Sequence, residues 1–188
     1  MDFIKAIAQF RPATPQEESD RRVILEYIRL CPHNILLRDN EIAHITSSGF
    51  IVNKSVTKTL MVHHNIYHTW SWTGGHADGE GDLLQVALRE AREETGADAE
   101  PLCGEILSLD ILPVWGHEKH GRYVSAHLHL SAAYVLTASE DASLQVRPDE
   151  NSGVRWVPIE EMDRHSNEAV LIAVYRKLAD RARAYRRG

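Results

Sequence analysis

The chain has 188 residues, enough for one domain with a complete hydrophobic core. Its 43% apolar and 26% charged residues are the composition of an ordinary soluble protein, and no run of eighteen apolar residues offers a membrane span. A formal net charge of -6 argues against a general nucleic-acid binder, though it leaves room for a local basic groove.

Cys31 and Cys103 make neither a disulfide framework nor a CxxC metal motif. The opening residues lack a signal-peptide core, so a cytoplasmic location is expected. Pro12 and Pro15 should break a short first turn of helix. Glu17 to Leu30 then reads as helix, because Val23, Ile24, Tyr27 and Ile28 recur at spacings of three and four, and Pro32 closes it. Residues 1–41 thus form an N-terminal helical arm ahead of the main unit, 42–188. The arm is expected to serve packing or a homodimer contact.

Strand character begins near Ala43, with Ile45–Asn53 and Thr57–His64 joined by a turn at Asn53-Lys54-Ser55. A short strand around Trp70–Trp72 leads into a glycine-rich loop, Gly74 to Asp82. Asp82 is a plausible N-cap for the helix that follows, with Gln85 completing a capping box and Gly96 ending it. Leu83, Leu84, Ala87, Leu88 and Ala91 supply its buried face. Further strands are expected at Leu102–Leu112 and Ser125–Leu136, with a loop from Pro113 to Tyr123 between them. A short strand at Val154–Pro158 and a helix from Asn167 to Arg187 complete the chain. Part of that helix's basic tail is the usual preference for cations at a helix C-terminus, which leaves RNA contact a minor reading. Strands around one central helix, with another helix at the end, predict an α/β/α sandwich with a mixed central sheet.

The helix after the glycines carries Glu90, Glu93 and Glu94 close together on one side. Like charges so arranged repel, and a divalent metal would offset the repulsion. Hard oxygen ligands suit Mg²⁺ or Mn²⁺, the metals of phosphate chemistry. Glu90 and Glu94 are the expected direct ligands, and Glu93 either a ligand or a base for water. Arg89 is expected to orient the glutamates. Gly74, Gly75, Gly79 and Gly81 would let the backbone approach metal and phosphates.

The run from Gly75 through Arg89-Glu90, Glu93-Glu94 and Gly96 resembles the Nudix box of the Nudix hydrolases. In that register Gly81 stands where the family usually carries a loop glutamate, and Glu80 could replace it only through a bulge. The resemblance covers residues from about Ile42 to the last helix and implies a Nudix-like fold for the catalytic unit. It also implies a further acid from a loop before the last core strand. Glu150 is the best candidate, with Asp149, Glu140 and Asp141 as alternatives.

Eleven histidines are many for this length. His127 and His129 alternate along a strand and so share a face, where they either line a phosphate cleft or form a zinc site with a third ligand. Gly74-Gly75-His76, Asp110-Ile111-Leu112-Pro113 and His127-Leu128-His129 together resemble a subgroup of Nudix proteins. That similarity implies that His76, Asp110, His127 and His129 line the cleft. Trp72 and Trp115, with Trp70, are candidate platforms for a base, and Lys119 or Arg122 for a distal phosphate. Trp156 reads as core.

The expected function is metal-dependent hydrolysis of a phosphoanhydride bond in a small phosphorylated substrate, a nucleoside diphosphate linked to a further group. Gly81 supports an alternative, a sensing domain that binds nucleotide or ADP-ribose without turnover. A metal-dependent isomerase or phosphatase on the same fold is a third reading.

Overall fold

Two polar caps start the N-terminal helices. In the computed structural model, which describes residues 2–119 and 121–187 apart from the side chain of Lys119, the Asp2 carboxylate accepts from Ile4 N–H and opens α1 (Phe3–Gln9). The Thr14 hydroxyl accepts from Glu17 N–H at 3.2 Å, and Pro15 takes the first position of α2 (Pro15–Leu30), where a missing N–H is harmless. This Thr-Pro cap starts the helix two residues before the expected Glu17. Ile7, Phe10, Ile24, Ile28 and Ile35 of the arm all enter the main core. These five side chains are covered by the chain itself, while Ile4, Val23, Leu30 and Leu37 of the arm stay exposed.

After the arm come β1 (Ala43–Val52), β2 (Lys58–His64), β3 (Thr69–Ser71), β4 (Thr73–His76) and α3 (Leu83–Thr95). Then follow β5 (Glu100–Pro101), β6 (Ser108–Val114), β7 (His117–Lys119), β8 (Arg122–Val124), β9 (His127–Thr137) and β10 (Asn151–Pro158). A 3-10 turn and α4 (Met162–His165) lead to α5 (Ala169–Arg187). Eight strands form one sheet in the order β10-β2-β1-β9-β5, with β3 on β2, β4 on β1 and β6 on β9. β1 and β9 run parallel and the other pairs antiparallel, so the sheet is mixed as expected.

Three local expectations change. Gly74, Gly75 and His76 lie in strand β4 rather than in a loop, paired with β1 from Thr46↔His76 to Gly49↔Thr73. The close approach needs glycine: a Cβ on Gly74 would meet the Ser48 Cα at 2.9 Å. The strand expected at Leu102–Leu112 begins at Ser108, leaving the two-residue β5 before it. The expected loop from Pro113 to Tyr123 contains a small hairpin, β7–β8, with Glu118 opposite Tyr123.

The sheet divides two cores. On one face Ile45, Ile51, Leu60, Leu109, Leu130 and Leu136 pack with Leu83, Ala87 and Ala91 of α3 and with the arm. On the other, Phe50, Val52, Met61, Ala133 and Val135 meet Val174, Tyr175, Leu178, Ala179 and Ala182 of α5. This is the predicted sandwich, and Trp156 packs against the first core. Among the described residues no helix is long and apolar enough to cross a membrane. Much of the basic face of α5 is paired within the chain: Arg176 with Asp163, Arg183 with Glu160, and Lys177 and Arg181 with Glu17.

Candidate active site

The cap chemistry of α3 fixes where its acids point. Asp82 accepts from Gln85 N–H at 3.4 Å, and Gly96, left-handed at φ 72°, donates to the Arg92 carbonyl at 2.8 Å. Successive helical residues turn by about 100°, so Glu94 lies about 40° from Glu90 around the helix and Glu93 about 60° to the other side. Glu90 and Glu94 accordingly face β4. A Cβ on Gly75 would fall 2.5 Å from the Glu90 Cδ, and Gly74 N–H reaches the Glu94 Oε1 at 3.4 Å.

Glu150, from the turn before β10, brings a third carboxylate, and one oxygen from each of Glu90, Glu94 and Glu150 lies within 4.8 Å of the others. Burial pushes the Glu94 carboxyl well above the ordinary carboxylate range, and the neighbouring Glu90 and Glu150 add to the effect against the Gly74 N–H. Burial also raises Glu90, opposed by the Arg89 guanidinium. Three converging carboxylates whose negative charge is so poorly compensated match the donor set of a hard divalent cation, so Mg²⁺ or Mn²⁺ fits these residues.

Glu93 lies outside that trio. Its Oε2 accepts from the Arg147 Nη1 at 2.7 Å, and the Arg89 Nε stands 3.9 Å from its Oε1. The Arg147 Nη1 is also 3.3 Å from the Glu150 Oε2, and the Arg89 Nη2 donates to the Glu90 Oε1 at 3.0 Å. Two guanidiniums thus hold the acids from two sides. Arg147 was not anticipated from the sequence: it is an isolated arginine in a loop.

A cavity of about 710 Å³ opens beside Glu94, with Gly74, Gly75, Trp72, Trp115 and Arg122 among its lining. Trp72 sits edge-on to Tyr175 at 5.3 Å, while Trp115 is 79% exposed. Trp70 is engaged elsewhere, under the Arg155 guanidinium at 4.1 Å. His120 and the side chain of Lys119 lie outside the described residues.

Two glycines and two candidate acids lie outside the cavity lining and the acidic trio. Gly79 and Gly81 face the arm, the first 3.7 Å from Leu37 and the second 3.9 Å from Phe3 when a Cβ is built on each. The Glu80 carboxylate is used locally, accepting from Asp82 N–H at 2.7 Å, and is not part of the acidic trio. Asp110 is buried away from the cavity, bound by the Lys177 Nζ at 2.7 Å and the Gln16 Nε2 at 3.2 Å. It shares a sheet face with the histidines, but α5 covers that part of the face with a cation.

His76, His127 and His129 line the cavity, joined by His44 from β1. Strand register explains the gathering: His44 pairs with His129 across β1–β9, and Thr46 with His76 across β1–β4. The available signal was the polar alternation His44, Thr46, Ser48 on one face of β1, with Ser47 turned to the other face and donating to the Leu83 carbonyl. Burial, with the neighbouring imidazoles, pushes the His129 imidazole down to about 2 and lowers His44 as well.

Comparison with known proteins matches this arrangement to a family. The NUDIX domain model matches residues 43–178. The bis(5'-nucleosyl)-tetraphosphatase [asymmetrical] of Mus musculus is 31% identical over 111 residues, covering 58% of this chain and 69% of that protein. The protein of the same name from Sus scrofa is 32% identical over 111 residues, with the same coverage. A NUDIX-family hydrolase from Clostridium perfringens shares the fold at a TM-score of 0.52 and 22% identity, covering 73% of this chain and 96% of that one. The E. coli dihydroneopterin triphosphate pyrophosphohydrolase shares it at a TM-score of 0.55 and 11% identity, covering 73% and 95%. The chain belongs to the Nudix hydrolase family, as a pyrophosphohydrolase.

Proposed function

We propose that the protein hydrolyses a phosphoanhydride bond in a nucleoside diphosphate linked to a further group, with Mg²⁺ or Mn²⁺ as cofactor. The observation that carries this reading is the convergence of Glu90, Glu94 and Glu150 beside an open cavity with aromatic walls. A divalent cation held by these carboxylates supplies charge neutralisation at phosphate oxygens and a more acidic water.

The remaining work falls to the chain's own groups. Gly74 and Gly75 keep the strand free of side chains where phosphates approach the acids. Arg89 and Arg147 hold Glu90, Glu93 and Glu150 in position. Glu150 reaches the trio from a turn, and its oxygen not committed to the cation would take a proton from the attacking water, while Glu93 would hold Arg147 in place behind it. Trp72 and Trp115 offer faces for a base, and Arg122 a charge for an outer phosphate.

The similarity to bis(5'-nucleosyl)-tetraphosphatases puts dinucleoside polyphosphates first in a substrate panel, with nucleoside triphosphates, nucleotide sugars and ADP-ribose beside them. The test is release of a nucleotide product with Mg²⁺ or Mn²⁺, run with wild type and Glu94→Gln. Metal-dependent turnover that disappears in Glu94→Gln is expected. Tight binding of a panel member without turnover would instead identify the sensing domain.

A further inference from the structure

We infer that His44, His76, His127 and His129 form a second metal centre, a closed site for a divalent transition metal of the zinc class that staples β1, β4 and β9 together. One ring nitrogen from each of the four lies within 4.8 Å of the others. The His127 and His129 Nε2 atoms are 3.2 Å apart. Ligands held about 2.0–2.1 Å from a tetrahedral zinc ion stand about 3.3–3.4 Å from one another, so this pair already spans one edge of such a shell.

The outer nitrogens are set for the same task. The Nδ1 of His44 is 2.9 Å from the Asn40 carbonyl, and the Nδ1 of His127 is 2.8 Å from the Ser125 carbonyl. A carbonyl only accepts, so both Nδ1 atoms carry a hydrogen, and in the neutral rings both Nε2 atoms present a lone pair. A backbone carbonyl behind the ring is also how metal-binding histidines are commonly oriented.

His44 supplies an independent observation. It is 4% exposed, and its Nε2 is buried with no hydrogen-bond partner among the described residues. The rings of His76, His127 and His129 surround it at 4.9, 5.0 and 5.3 Å. A hydrogen-bonded imidazole cluster would account for the His127–His129 contact but leaves the His44 lone pair buried and unsatisfied, which is costly. A cation at the centre satisfies it.

The donor chemistry separates this centre from the carboxylates. Neutral imidazoles favour zinc-class ions, whereas the Glu90, Glu94 and Glu150 oxygens favour Mg²⁺ and Mn²⁺. Four protein ligands fill a tetrahedral shell, which makes the centre structural rather than a generator of nucleophilic water. Its effect on function runs through the shape of the cleft wall, since His76 directly follows Gly75 in β4.

The test is zinc content by mass spectrometry after zinc loading and dialysis, with the visible spectrum of the cobalt-loaded protein as second readout. Wild type, His44→Asn, His127→Asn and a Glu90→Gln/Glu94→Gln double variant are compared, with circular dichroism to check folding. About one zinc per chain and a tetrahedral cobalt spectrum are expected in wild type and in the double glutamate variant. The histidine variants should bind zinc at least about 10²-fold more weakly. His127 is only half-buried, so its variant covers the case in which His44→Asn fails to fold. Wild type without retained zinc, an octahedral cobalt spectrum, or zinc lost with the glutamates and kept without the histidines would each overturn the proposal.

Discussion

Gly75 lies flat against the carboxylate of Glu90: a Cβ on Gly75 would stand 2.5 Å from Cδ and 2.8 Å from each oxygen. Real Cβ atoms do not approach so closely, so a methyl group there must push the carboxylate away. Gly75→Ala should lower kcat by about 10–100-fold and weaken the response to Mg²⁺, as disturbed ligand positioning does. Steady-state kinetics across a Mg²⁺ titration measure this, and an unchanged metal dependence would disprove the packing argument.

Glu94 is 7% exposed beside Glu90 and Glu150. Glu94→Gln keeps the shape and removes the charge. Losing an interaction of several kcal/mol with the cation corresponds to about 10²-fold or more in kcat. Above the unfolded carboxylate value of about 4.3 the substitution should also stabilise the metal-free protein, because folding no longer has to bury that charge or neutralise it by taking up a proton. Thermal unfolding in chelator tests that second effect, and a lower Tm than wild type would contradict it.

Arg147 spans Glu93 at 2.7 Å and Glu150 at 3.3 Å. Arg147→Ala should reduce kcat by about tenfold or more with a smaller change in KM, since it frees two acids without touching the cavity walls. Arg147→Lys should restore part of the loss, limited by lysine's lack of a planar fork. Equal losses in both variants, confined to KM, would point to a direct substrate contact instead.

Trp115, at 79% exposure on the cavity rim, has little to do for stability. If it stacks on a base, Trp115→Ala removes about 1 kcal/mol or more, which raises KM about fivefold while kcat holds. The prediction fails if KM for nucleotide substrates is unmoved.

Glu17 is fully buried between Arg181, at 2.6 and 2.8 Å, and Lys177, at 3.0 Å. Burial pushes its carboxyl up, but the Arg181 hydrogen bonds, the Ala13 N–H and Lys177 outweigh it, and the net shift is downward. A depressed folded value means that this pairing stabilises above the unfolded carboxylate value of about 4.3 and is lost as pH falls through the folded one. Glu17→Gln should cost about 3 kcal/mol near neutral pH and far less in acid. Tm measured against pH should therefore fall less steeply in acid for the variant. Parallel curves would show that Glu17 does not set the acid response.

What was legible in the sequence was local. The α3 helix with Glu90 and Glu94 on one face, its Asp82 and Gly96 ends, and the buried stripe of α5 follow from the spacing of residues a few positions apart. The alternation of strands and helices was enough for the layered sandwich. Tertiary structure alone decided which distant residues meet. Glu150 and Arg147 reach the acids because the turn before β10 returns to α3, and His44 meets His129 because β1 and β9 run parallel in one register. Asp110, with the same alternation as the histidines, leaves the cleft because α5 sets Lys177 over it. Helical spacing is written within a few neighbouring residues, whereas strand register and the placing of a covering helix are settled by packing the whole chain.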